Sequence, residues 1–352
     1  MSFAALLVYT QLGLLGGFLH TCSALIHQVG GDVWVMARGT EMVDAGEPLS
    51  AGSRAAADAL PCVRRVRPLV FAWGSLRKPK GTLESIRLVG TRTEDGRLMP
   101  WNTVAGAPGD VMAPMRVSVD EVDLAKLQLP DNPIGATVEI GGLTARVAAM
   151  SRGIRSFTTL PMVFAHIDSA RRMLRLPSGS VNFWVLDLEE PACSAAVIRA
   201  VEATPGLQAR SRETFARETE IYWLNGSGAG VILAFVAFLG LVVGTVIVGQ
   251  TLYTMVRDHH RELATLKALG ASDRELIGFV AWQAGFLAAA GIAVGLGAAT
   301  LIRAAGKNAG LTIVLSPWTV GVATVALLVM CTVASLLAVR RVRGLRAVEV
   351  FT

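Results

Sequence analysis

The chain has 352 residues, 52% of them hydrophobic and 17% charged, with 33 Lys and Arg against 27 Asp and Glu for a net charge of +6. Soluble domains usually carry about 25% charge, mean hydropathy here is +0.50, and only four cysteines occur. A purely soluble protein, a disulfide-stapled secreted scaffold and a disordered chain are excluded.

Four stretches hold no Asp, Glu, Lys or Arg: Met1–Gly31, Ile221–Val256, Leu276–Ile302 and Asn308–Val339. Each exceeds the roughly 20 apolar residues that a helix needs to cross a bilayer. The first opens without a basic residue and stays apolar for about 25 residues, which fits an uncleaved span over 1–27 better than a signal peptide. Leu19-His20-Thr21-Cys22 is a poor lipoprotein cleavage box, because His20 stands where a small residue is expected. The absence of a cytoplasmic leader before this span points to a natural start upstream of Met1. His20 and His27 lie near the end of the span and read as interfacial rather than as a transport relay.

Residues 28–220 have ordinary composition and read as an external α+β domain of two lobes inserted between the first and second spans. Strand patterns cover Asp32–Met36, Val63–Trp73, Glu84–Gly90, Ala136–Met150 with a turn at Gly141-Gly142, and Val181–Leu188. Helical patterns cover Ile167–Leu174, with Asp168 as cap, and Ala192–Ala203. Gly96–Pro114, dense in Pro and Gly, reads as a loop between the lobes. Cys62 and Cys193 fall in this domain and are free to pair or not; Cys22 and Cys331 fall in spans as small packing residues.

The second apolar run is longer than a span requires, since 36 helical residues reach about 54 Å against a hydrocarbon core of about 30 Å. With Ser211 as N-cap, a stalk helix near 211–225 is expected to leave the external domain, with Tyr222 and Trp223 at the outer interface and a soft point at Gly226–Gly230 before a span over 226–256. A cytoplasmic loop over 257–275, a span over 276–302, a short external connection over 303–316, a span over 317–339 and a basic tail over 340–352 complete the topology. The loop and tail carry eight basic residues and the 303–316 connection two, Arg303 and Lys307, so both termini belong inside. The external domain is nearly neutral, so the positive charge records orientation and implies no nucleic acid.

Chemistry is sparse. No phosphate-binding Gly-rich loop occurs: Gly306-Lys307-Asn308 lacks both the upstream glycine and the hydroxyl. His259 and His260 match no zinc spacing, and no nucleophile–base pattern stands out. The chain reads as no enzyme, with no catalytic residue, metal or cofactor of its own. Gly13 and Gly17, Gly240 and Gly244, and Gly291 and Gly295 (with Ala299) are spaced four apart in the spans, which lets helices approach closely as a bundle or dimer. No span carries a charge near its centre, which argues against a conducting route.

The loop Arg261-Glu-Leu-Ala-Thr-Leu-Lys-Ala-Leu-Gly270 places Leu263, Leu266 and Leu269 near one helical face, with Gly270 as a left-handed cap and Ser272 as the next N-cap. This segment resembles the signature of the MacB/FtsX-like ABC permease family, and the order of one span, a large external domain, three spans and a basic tail matches that family. Gln11–Gly17, Asp32–Thr40 and Arg155–Phe164 are similar to the DevC-type exporter permeases. The resemblance implies a homodimer in the bacterial inner membrane with a separate ABC ATPase that binds ATP and magnesium. Arg261, Glu262, Leu263, Leu266, Lys267, Leu269 and Gly270 would contact that ATPase. It further implies mechanotransmission to the periplasmic domain, acting on an adaptor and an outer-membrane channel. Extraction of lipoprotein or lipid, or FtsX-like control of a cell-wall hydrolase, are the alternatives. Ala347 stands where the family often has proline.

Overall fold

The computed structural model describes residues 2–50, 52–92, 99–154, 160–226, 228–258, 262, 265–266, 269–308 and 313–342. The chain divides into two compact units, Leu19–Ser227 and Met1–Phe18 with Gly228–Thr352. The boundary between Phe18 and Leu19 falls inside helix α1, Ser2–Val29.

The Leu19–Ser227 unit is built on ten strands: β1 Val33–Ala37, β2 Val63–Arg77, β3 Leu83–Thr91, β4 Thr103–Gly106, β5 Arg116–Asp120, β6 Thr137–Ile140, β7 Leu143–Ser151, β8 Met162–His166, β9 Phe183–Leu188 and β10 Leu207–Ser211. One hydrogen-bonded path runs β10-β1-β9-β2-β3-β8-β5-β7-β4, and β6 pairs with β2 and β7. The long β2 joins the two halves: Val63–Leu69 pairs with β9, and Val70–Arg77 pairs with β3. Pairings are antiparallel except β3 with β8 and β5 with β7.

Strand β1 is apolar at every position and β9 at all but Asp187, because both faces of the sheet are covered there. In β1, Val33 and Val35 face one core while Trp34 and Met36 face the other. The same alternation splits Trp184 and Leu186 from Phe183 and Val185 in β9. Three short helices, α2 Ser53–Asp58, α4 Ile167–Leu174 and α5 Ser194–Glu202, supply Ala57, Ala170, Met173, Val197 and Val201 to the first core. Between them in the chain, α3 Leu124–Leu127 follows a turn capped by Asp120. That carboxylate, 1% exposed, also accepts hydrogen bonds from the Ser151 hydroxyl and from the backbone N–H groups of Gly153 and Ile154.

Four expectations need correction. Asp168 does not cap α4. His166 does: its extended backbone lets Nδ1 accept from the Asp168 N–H, while the Asp168 carboxylate pairs with Arg171 one turn on. The stretch Gly96–Pro114 is more than loop, since Thr103–Gly106 forms β4 and Pro108–Met112 a 3-10 turn. The pattern Ala192–Ala203 narrows to Ser194–Glu202 behind a 3-10 turn at Pro191–Cys193. Strands β5, β8 and β10 were not anticipated, being five residues each and defined by their neighbours rather than by local alternation. Cys62 and Cys193 form a disulfide that closes 131 residues of sequence between the start of β2 and the start of α5.

The other unit is helical. Beyond the first part of α1 it holds α7 Ala229–Asp258, α8 Asp273–Asn308 and α9 Pro317–Val342. Among the described residues three helical segments are long and apolar enough to cross a membrane: Ser2–Val29, Gly230–Thr251 and Ala288–Gly306. Pro317–Thr332 is a shorter apolar segment. Close packing follows the glycines. A side chain at Gly295 would meet Ala5 at 2.5 Å, one at Gly244 would meet Ala4 and Met330 at 3.1 Å, and one at Gly13 would meet Ile313 at 2.7 Å. At Gly13 the chain comes close enough for the Val314 N–H to donate to its carbonyl at 3.0 Å. Tyr9 and Thr324 share a hydroxyl hydrogen bond of 2.8 Å, the kind of polar contact that holds helices together in lipid.

Candidate functional site: the stalk junction and the coupling segment

Two segments leave the ten-stranded sheet within the Leu19–Ser227 unit, the end of α1 and the helix α6, Arg212–Ile221. Both are fastened to it. Helix α6 starts as its sequence dictates: the Ser211 hydroxyl accepts from the Thr214 N–H at 3.2 Å and satisfies a free donor of the first turn. Its inner face buries Phe215, Ala216 and Thr219. Phe215 meets Trp34 and Phe183 with ring centroids 5.6 and 5.7 Å apart, and Trp34 meets Phe183 at 5.5 Å. Such pairs add about 1 kcal/mol each beyond the area they bury. Leu25, Ile26 and Val29 of α1 pack into the same cluster.

Polar contacts then fix the geometry. Glu220 on α6 accepts from the fully buried Ser23 hydroxyl of α1 at 2.6 Å, and Thr219 accepts from the Val43 N–H at 3.2 Å. The end of α1 is closed by a buried cation: Arg67 of β2 donates from Nη1 to the Val29 carbonyl at 3.0 Å and forks onto Asp187 of β9 at 2.8 and 3.0 Å. A positive group at a helix C-terminus satisfies orphan carbonyls and opposes the helix dipole. The turn that follows needs Gly31, whose φ is 78° and where a side chain would lie 2.3 Å from Val185.

Past Ile221 the helix widens into a π turn, Tyr222–Gly226; Gly228 has a φ of 71°, and α7 begins at Ala229. The π turn lies ahead of the soft point expected at Gly226–Gly230, in which Ser227 lies outside the described residues. Within the π turn, the Trp223 indole N–H donates to Asp44 at 3.3 Å. Asp44 pairs with Arg87 of β3 at 2.8 Å, and the Arg87 guanidinium lies 3.7 Å from the centre of the Trp73 ring and 5.1 Å from that of Phe71. Burial pushes the Asp44 carboxyl above the usual carboxylate range and the Arg87 guanidinium below its own, each against its partner's attraction. Such a pair sets geometry more than it stabilises. The sequence reading missed Ser23, Asp44, Arg67, Arg87 and Glu220. Arg87 alone left a signal, as a charge inside the otherwise apolar run Ile86–Val89.

The second locus is the segment between α7 and α8. Arg261, Leu263 and Lys267 lie outside the described residues, as do His259 and His260. Glu262 is helical and exposed, and Leu266 and Leu269 are 43% and 80% exposed. Gly270 has a φ of 102°, and the Ala271 N–H reaches back to the Leu266 carbonyl at 3.1 Å, as a left-handed helix end requires. Ser272 and Glu275 then exchange bonds between each side chain and the other's N–H, a reciprocal cap for α8. Of the glycines singled out, Gly13, Gly17, Gly244, Gly291 and Gly295 are buried in the helical unit and Gly240 is half-buried. Gly13, Gly244 and Gly295 face other segments of the same chain. Among the described residues no three His, Cys, Asp or Glu converge as a metal site.

Comparison with known proteins places these elements. Residues 2–204 match the model of the MacB-like periplasmic core domain, and residues 234–347 match that of the FtsX-like permease C-terminal region. No curated protein is matched. Among solved structures, the chain is similar to the periplasmic region of MacB from Actinobacillus actinomycetemcomitans (13% identity, 55% of this chain and 95% of that one, TM-score 0.42). It is also similar to the extracellular domain of the noncanonic ABC-type transporter YknZ from Gram-positive bacteria (11%, 51% and 98%, TM-score 0.39). A domain of a putative permease from Porphyromonas gingivalis is similar at 10% identity over 53% of this chain and 90% of that one, with a TM-score of 0.36. With more than half of its length matched by the periplasmic core model and most of the remainder by the C-terminal one, the chain belongs to the MacB/FtsX-like family of ABC-transporter permeases.

Proposed function

We propose that this chain is the membrane subunit of an ABC exporter of the DevC type, acting as a homodimer with four spans per chain and both termini in the cytoplasm. A separate ABC ATPase binds ATP and magnesium and engages Arg261–Gly270. Its closure displaces that segment, and the movement passes along the stalk to the periplasmic sheet, which works an adaptor and an outer-membrane channel. The fastening of α1 and α6 to one sheet supports this reading most. Arg67, Ser23, Thr219 and Asp44 each bridge a helix end or turn to a neighbour, so a displaced helix end moves the sheet instead of fraying from it. Two observations support the orientation: the basic residues of the loop and tail, and the Cys62–Cys193 bridge, which belongs in an oxidising compartment.

The test is Leu266→Asp, at a half-exposed apolar position of the proposed contact. ATPase capture and transport-stimulated hydrolysis are expected to be lost while membrane insertion is retained. Undiminished capture would sink the assignment. Co-purification of a lipoprotein chaperone or a cell-wall hydrolase in place of an adaptor would move the task to lipid extraction or to regulation.

A further inference from the structure

The half of the sheet around β2, β3 and β6 holds a cavity of about 460 Å³ that neither the stalk nor the coupling segment uses. That volume is in the range of small-molecule sites, roughly 300–1,000 Å³. Three pieces of chain enclose it: the end of β2 with the start of β3, the Gly141-Gly142 turn between β6 and β7, and the end of α4. Trp73, Leu83 and Leu174 are its apolar lining residues, and Trp73 and Leu83 are 55% and 62% exposed.

Trp73 is held in place although it is exposed. The buried guanidinium of Arg87, which does not line the cavity, sits 3.7 Å from its ring centre. A cation on one face fixes the indole, and the ring is 55% exposed, so it keeps surface on which another ring can stack. The charges sort just as clearly. Arg77 and Glu139 line the cavity but bind each other at 2.9 Å. Arg175, in the left-handed position that ends α4, is exposed, and its guanidinium has no hydrogen-bond or ion-pair partner among the described residues. The cavity thus combines a fixed aromatic surface, an aliphatic wall and one uncommitted planar cation. A guanidinium fork matches a carboxylate with two parallel hydrogen bonds.

We propose that this cavity is a binding site for a small aromatic carboxylate, its ring stacked on Trp73 beside Leu83 and its carboxylate on Arg175. Arg87 also ties the site to the stalk, because the cation behind Trp73 is the partner of Asp44, which holds Trp223 of the π turn.

The test uses the full chain in lipid nanodiscs, with 1-naphthaleneacetate and its neutral amide, 1-naphthaleneacetamide, as probes in isothermal titration. One saturable acetate site per chain is expected, absent from empty nanodiscs, with the amide about tenfold weaker. Arg175→Gln, an exposed change that leaves the fold intact, should bring acetate down to the amide's affinity and leave the amide unchanged. Trp73→Leu should weaken both probes about tenfold or more. Near-UV circular dichroism and an intact Cys62–Cys193 bridge establish that the variants are folded. Binding no greater than to empty nanodiscs, equal affinity for the two probes, or wild-type acetate binding by Arg175→Gln would each overturn the site. Binding needs no ATPase, so the outcome is independent of the coupling reading.

Discussion

Arg67→Met tests whether the end of α1 is anchored to the sheet. Arg67 is 5% exposed, and its guanidinium makes three hydrogen bonds, two to Asp187 and one to the Val29 carbonyl. Methionine fills much of the volume but removes all three. It leaves Asp187, whose side chain is only 17% exposed, without its cation, and Val29 without its donor. An orphaned buried carbonyl costs about 1–3 kcal/mol and a lost hydrogen bond to a charged group about 1.5–3 kcal/mol. Allowing for water reaching Asp187, the local cost is about 3 kcal/mol, roughly a hundredfold in an opening equilibrium. Hydrogen exchange of the full chain in nanodiscs reads this at the Gly30 amide, which bonds to Ile26 at 3.0 Å, and at the Asp32 amide, which bonds to Leu186 at 2.8 Å. Exchange there should quicken roughly a hundredfold, with β5 and β7 unchanged. Arg67→Lys keeps the charge but loses the fork, and should fall between. A change below about threefold at Gly30 and Asp32 would refute the anchor, as would an equal change throughout the sheet.

Replacing Cys62 with Ser opens a loop of 131 residues and should lower the unfolding free energy by about 2–5 kcal/mol. Thermal unfolding with and without reductant checks it: reduced wild type should melt like the variant, and the variant should ignore reductant. Gly295→Val would drive a side chain to within 2.5 Å of Ala5 and 2.9 Å of the Leu6 nitrogen, costing about 1–3 kcal/mol. Gly297, with nothing within 4 Å, should accept the same change; heating followed by size-exclusion chromatography distinguishes them. Glu84 binds Lys78 at 2.7 Å and Lys126 at 3.2 Å, and these contacts, Lys78 first, hold its carboxyl below the usual glutamate range. Its stabilisation is therefore complete above the ordinary carboxylate pKa and lost as pH falls through the lowered one. A melting gap between wild type and Glu84→Gln, worth less than about 1 kcal/mol, should appear at neutral pH and vanish in acid; a gap that persists in acid contradicts the sign.

The sequence by itself determined what local chemistry can encode. Apolar runs without charge marked the long apolar helices, three of which among the described residues are long enough to cross a membrane, because each charge placed in hydrocarbon carries its own cost. Ser211, Gly270 and Ser272 announced helix ends, since a cap bonds within its own turn. The runs at Asp32–Met36 and Val181–Leu188 announced strands by length and residue type, and these form at Val33–Ala37 and Phe183–Leu188. Tertiary structure decided the rest. Strands β5, β8 and β10 exist because neighbours far along the chain bond to them. The stalk junction joins residues that sequence holds apart: Ser23 with Glu220, Arg67 with Asp187, and Asp44 with both Arg87 and Trp223. Each is an ordinary polar residue alone, and it acquires a role only when folding removes water from around its partner. The same holds for Trp73 and Arg175, 102 positions apart, which became two walls of one cavity only when β2 and α4 packed together.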